Sequence, residues 1–435
     1  MGTTPNIPAP QIEAFLAAGA QGQIITGDRI DRILETVRNH LGMEIAFVSR
    51  YVEGGQREFT HISTDLPLPH KPGLREPQEE SFCYHILHGR LPELIHDAAD
   101  YPFAQTLPIA GALPVGCHLN VPLRLSTGEV YGSFCFLSRA ADRSITERDM
   151  GVIRAFAALA LEQIEGELES DMRLSAIGAA VDEVIEKRLL AIVHQPIVAL
   201  QSGRAVGVEG LARFPDAGQR SPDKWFADAE AVGRRFELEM LAIRQALASL
   251  RELPAYAYLS INAAPSTVME TAFIEAVRGL SRERLVIEVT EHHAIDDPAA
   301  LAERLKELSA YARIAIDDVG AGYSGLQQIV DLAPDIIKLD MSLTRRIDSD
   351  PVRHALGGAL VDFARHIGSV VLAEGIERSG EHAALRKLGV SLGQGYLLGK
   401  PMPIPAVQRL FLGKSEPQLD QPAARTRSAR PRKAC

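Results

Sequence analysis

The chain has 435 residues and a formal net charge of -10, with 46% of it hydrophobic, 23% charged and 6% aromatic. At roughly 150 residues per domain this length calls for two or three domains, and the composition excludes a disordered or fibrous chain. The acid excess gives no overall attraction to a nucleic-acid polymer or an anionic membrane, although acids gathered at one site could hold cations.

Residues 1–25 are rich in Gly, Pro and Ala without periodicity and read as a disordered leader. They lack the charged start and apolar core of a signal peptide, and no run in the chain approaches the roughly 18 apolar residues of a membrane span. Cys83, Cys117, Cys135 and Cys435 lack CxxC spacing and read as free thiols of a reducing compartment. A cytoplasmic protein is expected.

In DRIDRILETVRNHLG, Ile30, Ile33, Leu34, Val37 and Leu41 share one helical face, with Asp28 in the first turn and Gly42 as a stop. MEIAFVSRYVEG and QREFTHIS follow as strands joined at Gly54 and Gly55, and LNVPLRL and VYGSFCFLSR form a second hairpin around Ser126, Thr127 and Gly128. From Thr146 to about Glu169, Ile153, Phe156, Ala160, Ile164 and Leu168 recur three or four apart and predict one long helix. These elements make an α+β domain over 26–168 that ends in a linking helix. That helix either packs on its own domain or pairs with its copy in a homodimer.

From 174 to 412 the pattern becomes βαβα, which argues for a parallel sheet with helices outside it. HQPIVAL, AVGVEGLARF, YLSINAA, LVIEVTE, RIAIDDVG, DIIKLD, SVVLAEGIE and GQGYLLG are eight short apolar runs, a number that suits a closed (β/α)8 barrel of the α/β class. Residues 413–435 are polar, proline-bearing and basic near the end, and read as a disordered tail.

The inferred strands end in residues able to hold a metal or a phosphate: Glu209, Asn262, Glu288, Asp317 with Asp318, Lys338, Glu374 and Gln394. In such a barrel the C-terminal strand ends meet at one mouth. Carboxylates crowded there would repel one another unless divalent cations intervened, and oxygen donors without His or Cys favour Mg2+ or Mn2+. Asp317 beside Asp318 could bridge two ions, which suits phosphodiester hydrolysis by an activated water. Lys338 would face the water or the phosphate, and Arg213 could fork onto a phosphate oxygen.

With these residues in view, the segment 174–412 resembles the EAL family of cyclic di-GMP phosphodiesterases. EGLAR at Glu209 to Arg213 resembles the signature EALxR, HQPIV at His194 to Val198 resembles YQPIV, and SIN, IEVTE, DDVGAGYSGL, IKLD, AEGIE and QGYLLGKP follow in order. The resemblance implies that Glu209, Asn262, Glu288 and Asp317 hold one ion, with Asp317, Asp318 and Glu374 around the other. It also implies that Lys338 contacts the attacking water and that Glu374 is either a ligand or a general base. Glu291 would steady the loop from Asp318 to Gly325, and Gln195, Arg213, Gln394 and Pro401 would lie near the substrate. Three departures, Gly210, Val319 and Ala321, remove no ligand; Gly210 loosens the backbone beside Glu209, and the loop changes bear on any coupling between dimer formation and metal binding.

Residues 26–168 resemble a GAF sensor domain, most clearly in SFCYHILHGRLPELIHDA and NVPLRLSTGEVYGSFCFLS. This implies a small-molecule or redox sensor whose ligand the sequence leaves unnamed. Cys117 beside His118 suggests a bilin site, but its place at a strand start reads as a core thiol. His85, His88 and His96 read as packed or solvated histidines and not as a haem or metal site. The expected activity is a GAF-regulated hydrolysis of cyclic di-GMP to linear pGpG. The alternatives are a receptor that binds the dinucleotide without cutting it and a scaffold, which would require no polar strand ends.

Overall fold

The computed structural model describes residues 27–67, 69–215, 220–289, 297–319 and 332–412. The leader, the tail, Glu291 and the loop from Gly320 with Ala321 lie outside them. The chain separates into two compact units, Met1–Arg173 and Leu174–Cys435.

In the first unit, α1 (Gly27–Leu41) buries Ile30, Ile33, Leu34 and Val37, the face that its spacing predicted. Six strands, β1 (Ile45–Val52), β2 (Gln56–Thr64), β3 (Arg75–Pro77), β4 (Leu94–Ile95), β5 (Cys117–Arg124) and β6 (Val130–Ser138), form a sheet ordered β3-β2-β1-β6-β5-β4. Their pleat sends alternate side chains to opposite faces. Ala46, Val48, Phe134 and Phe136 pack with α1 on one face, while Ile45, Phe47, Cys135 and Leu137 join Cys83 of α2 (Phe82–Leu87) on the other. Both faces are covered, so β1 and β6 read as nearly unbroken apolar runs.

Cys117 is fully buried against the α1 face, and burial pushes its thiol up to about 11. His85 Nε2, His88 Nδ1 and His96 Nε2 each meet a backbone carbonyl, of Glu79, Tyr84 and Ile145, at 2.8–2.9 Å. These three rings are held by main-chain carbonyls.

The linking helix, α3 (Glu147–Lys187), is longer than its predicted end near Glu169. Ile153, Ala157 and Ile164 are buried in the first unit and Val181 and Val184 in the second. DMRLSAIGAAVDEVIEK holds no proline and keeps helical apolar spacing, so nothing in it stops the helix.

The second unit is a closed eight-strand barrel ordered β10-β11-β12-β13-β14-β7-β8-β9. Its strands are β7 (Ala191–Ala199), β8 (Arg204–Arg213), β9 (Tyr258–Ala263), β10 (Leu285–Val289), β11 (Arg313–Val319), β12 (Ile336–Leu339), β13 (Val370–Ala373) and β14 (Leu392–Gly393). The expectation of a wholly parallel sheet is corrected at β7, which runs antiparallel to both neighbours. Only Leu200–Gly203 separates β7 from β8. A connection that short can make a hairpin but not the crossover that a parallel pair needs. The last strand is also shorter than the predicted GQGYLLG: after Gly393 the chain turns, and Leu397 N–H donates to the Ile376 carbonyl at 3.0 Å.

Candidate active site

Strand alternation builds the barrel interior in layers. Ile197, Tyr258, Val286, Ala315, Ile336 and Leu372 form one apolar layer. Two residues further along five of the parallel strands stand Ser260, Glu288, Asp317, Lys338 and Glu374, and Glu209 pairs in register with Ser260 on one side and Gln195 on the other. The polar layer therefore sits directly on an apolar floor.

Lys338, 1% exposed, is its centre: Nζ lies 2.5 Å from Glu288 Oε2, 2.7 Å from Glu374 Oε1, 3.0 Å from Asp317 Oδ1 and 3.9 Å from Glu209 Oε1. Asn262 Nδ2 donates to Glu209 Oε1 at 2.8 Å, and Gln394 Nε2 donates to Glu209 Oε2 at 2.6 Å and to Gln195 Oε1 at 3.1 Å. Carboxylate oxygens of Asp317, Asp318 and Glu374 lie within 4.8 Å of one another. Thus Glu209, Asn262, Glu288, Asp317, Asp318, Lys338, Glu374, Gln195 and Gln394, spread over two hundred positions, meet at one place.

Four carboxyls sharing one ammonium leave a buried surplus of negative charge. Burial, followed by the charge of Glu209, holds the Glu288 carboxyl well above the ordinary carboxylate range, and burial pushes Glu374 up to about 7. Burial also opposes the Glu209 carboxylate, but Lys338 and the amides of Gln394 and Asn262 outweigh it and keep that carboxyl ionised below its usual range. Retained protons of this kind are what divalent cations displace. Gln394 Oε1, in the amide whose Nε2 holds Glu209, is buried without a hydrogen-bond partner and is a further oxygen able to ligate a cation. The residues present fit hard cations with oxygen ligands.

A cleft of about 810 Å³ opens beside the acids and is lined by Glu209, Arg213, Asn262, Arg235, Asp317 and Asp318, large enough for a dinucleotide-sized ligand. Arg213 ends β8, and its Nη1 donates to the Ala212 carbonyl at 2.8 Å, so it borders the cleft without touching the acids. Pro401 is half-buried beside Met402, whose backbone pairs with His194, next to Gln195. Asp318 adopts φ +58° and its N–H donates to Asp317 Oδ1 at 2.9 Å. The role expected of Glu291 lies outside the described residues.

Ser260 was missed. Its Oγ donates to Glu288 Oε1 at 2.5 Å and so fixes the carboxyl from the side away from Lys338. The signal was present, since period 2 puts Ser260 on the same face as Asn262. Two glycines beside the site were also passed over. At Gly375, φ is +63° and a Cβ would stand 2.4 Å from Met341 Cβ; at Gly395 it would stand 2.2 Å from Ile376 N. Each follows a site residue, Glu374 or Gln394, so both close backbone approaches help to set a polar group.

Residues 179–401 match the family model of the EAL domain, and residues 27–164 match that of the GAF domain. The chain is 32% identical over 237 residues to the cyclic di-GMP phosphodiesterase NbdA of Pseudomonas aeruginosa, over 51% of this chain and 30% of that protein. It is 34% identical over 227 residues to the cyclic di-GMP phosphodiesterase PA2567 of the same organism, over 48% of this chain and 38% of that one. The chain therefore spans between 30% and 38% of the length of these two relatives. A solved structure of the EAL enzyme Bd1971, in its cAMP- and cyclic-di-GMP-bound form, aligns with TM-score 0.53 at 19% identity over 85% of this chain and 93% of the other, which speaks to the fold alone. With just over half its length matched, this chain belongs to the EAL domain family and carries a GAF domain ahead of its barrel.

Proposed function

We propose that this chain hydrolyses one phosphodiester bond of cyclic di-GMP to give linear pGpG, with Mg2+ or Mn2+ as cofactor and the GAF domain as regulator. The observation that carries the reading is the meeting of Glu209, Glu288, Asp317 and Glu374 from four strands within 3.9 Å of the buried Lys338 ammonium. Glu209, Asn262, Glu288 and Asp317 would hold one cation and Asp317, Asp318 and Glu374 a second; when bound, such a pair lowers the pKa of a water and polarises a phosphoryl oxygen.

The chain's own residues do the rest. Lys338 keeps a fixed positive charge where the attacking water and the phosphate must come together. Glu374, at about 7, exchanges its proton in the neutral range and suits a general base as well as a ligand. Gln394 and Asn262 hold Glu209 by both carboxyl oxygens, and Gln195 extends that chain of amides toward the Gly399 carbonyl at 3.2 Å. Arg213 offers two parallel N–H donors to a phosphate entering the cleft. The reading extends to a cytoplasmic homodimer acting on a free dinucleotide.

The test is incubation of the purified chain with cyclic di-GMP and Mg2+ or Mn2+, with products followed by chromatography, alongside Glu209→Ala. Release of pGpG by the parent and none by the variant is expected. Tight binding of intact cyclic di-GMP without pGpG would replace hydrolysis by a receptor role.

A further inference from the structure

The sulfurs of Cys83 and Cys135, 52 positions apart in the chain, are 2.9 Å apart between α2 and the sheet of the GAF unit. Their surroundings are polar within an otherwise apolar core. Arg57 Nη1 lies 3.6 Å from Cys83 Sγ, His118 Nε2 lies 3.9 Å from it, and Cys135 Sγ donates to Asn120 Oδ1 at 2.8 Å. Arg57, His118, Asn120 and both cysteines are at most 4% exposed. Arg57 Nε, His118 Nδ1 and Asn120 Nδ2 lack hydrogen-bond partners, a concentration of unsatisfied buried groups that packing alone does not explain. A cavity of about 40 Å³ reaches Arg57, His70, Cys83 and His118 and has room for about three water-sized molecules.

We infer that Cys83 and Cys135 are a peroxide-reactive dithiol that closes reversibly to a disulfide inside the GAF domain, with Cys83 attacking and Cys135 resolving.

The environments of the two thiols differ in the required sense. Burial disfavours the Cys83 thiolate, but Cys135, His118 and Arg57 outweigh it and bring this thiol well below its ordinary range; burial and Cys83 itself push Cys135 well above it. The Cys83 thiolate attacks one oxygen of hydrogen peroxide, the O–O bond breaks, two electrons pass from sulfur to oxygen, and the leaving hydroxide is protonated to water. Cys83 is then a sulfenic acid. Cys135 sulfur displaces its hydroxyl, the S–S bond forms, and the Cys135 proton leaves with the hydroxide as a second water. An external dithiol reverses the pair.

The same donors, Cys83, His118 and Cys135, lie within 4.8 Å of one another and could be taken for a metal site. Two observations disfavour that. Thiolates sharing one tetrahedral zinc stand about 3.8 Å apart, farther than these, and the Arg57 guanidinium already supplies the positive charge at Cys83. The inference is independent of the barrel's chemistry.

The experiment uses the full chain with Cys435→Ser, which leaves three cysteines. Treatment with hydrogen peroxide should lower the thiol count in denaturant from three to one, with Cys83 and Cys135 peptides joined under non-reducing conditions and dithiothreitol restoring all three. With Cys135→Ser added, dimedone should trap Cys83; with Cys83→Ser added, it should trap nothing. Arg57→Met should slow the reaction about tenfold through a smaller thiolate fraction. Unchanged thiols after glutathione in the same tube is fully oxidised would overturn the inference, as would labelling of Cys117 as fast as Cys83. Stoichiometric zinc that shields both thiols until it is chelated would also overturn it and assign a metal site instead. If a serine variant loses its cooperative melting transition, the peptide map of the Cys435→Ser chain alone decides.

Discussion

Lys338 Nζ and Glu288 Oε2 stand 2.5 Å apart at the centre of the barrel, each side chain 1% exposed. The ammonium serves four carboxyls at once, so its removal leaves like charges facing one another in a poorly solvated place. Lys338→Met should destabilise the metal-free chain by about 3–5 kcal/mol and lower turnover by at least about a hundredfold. Added Mn2+ should then raise its melting temperature more than it raises the parent's. Equal melting of variant and parent in chelator would show that the lysine is not what holds the acids together.

Ser260 makes no predicted contact with metal or substrate, yet it anchors Glu288. Groups that orient a ligand typically change metal affinity or activity by about 10–100-fold when removed. Ser260→Ala should weaken Mn2+ binding within that range in calorimetric titration while the melting temperature in chelator moves only slightly. An unchanged affinity would make the Ser260 hydroxyl a packing detail.

Gly375 combines a left-handed φ of +63° with a Cβ path that ends 2.4 Å from Met341 Cβ. Gly375→Ala must strain the backbone and displace Met341, at a cost of roughly 2–4 kcal/mol. Urea unfolding should show the loss, and turnover should fall more than stability requires, because Glu374 is the preceding residue. A wild-type midpoint would mean that the loop relaxes freely.

His194 gives the second unit a defined acid sensitivity. Its Nε2 lies 2.8 Å from Ser249 Oγ, which itself donates to the Ala246 carbonyl at 2.6 Å, so Nε2 must be the protonated nitrogen. Nδ1 is buried without a partner, and burial lowers the pKa from the ordinary 6.5. The unfolded chain therefore binds a proton near pH 6.5 that the folded chain refuses, and stability present above that pH is lost as pH falls through it. His194→Gln, which keeps an N–H for Ser249 but does not titrate, should flatten the decline in unfolding free energy between neutral pH and pH 5.5. An identical slope in both chains would assign the acid sensitivity elsewhere.

Much of the architecture was legible because helix and strand periodicities are local. The buried face of α1 followed from spacing alone, and so did most strand positions, because each needs only neighbouring residues to declare its face. The acidic centre was legible for a related reason: polar groups recurred at the ends of successive apolar runs, and barrel closure is a rule general enough to predict that such ends converge. The reversal of β7 was harder to see, since its side-chain alternation is the same in either direction and only the short connection to β8 betrays it.

What the sequence by itself determined, then, was the set of elements and the inward residues of the barrel, properties carried by period and order along the chain. Tertiary structure alone decided which polar groups touch. It set Lys338 among four acids, put Ser260 behind Glu288, and stacked α2 on the sheet so that Cys83 meets Cys135, while Cys117, on the opposite face of the pleat, is sealed in the core. No spacing along the chain encodes those distances, because they arise from how far one layer lies above another and how each side chain fills the space between.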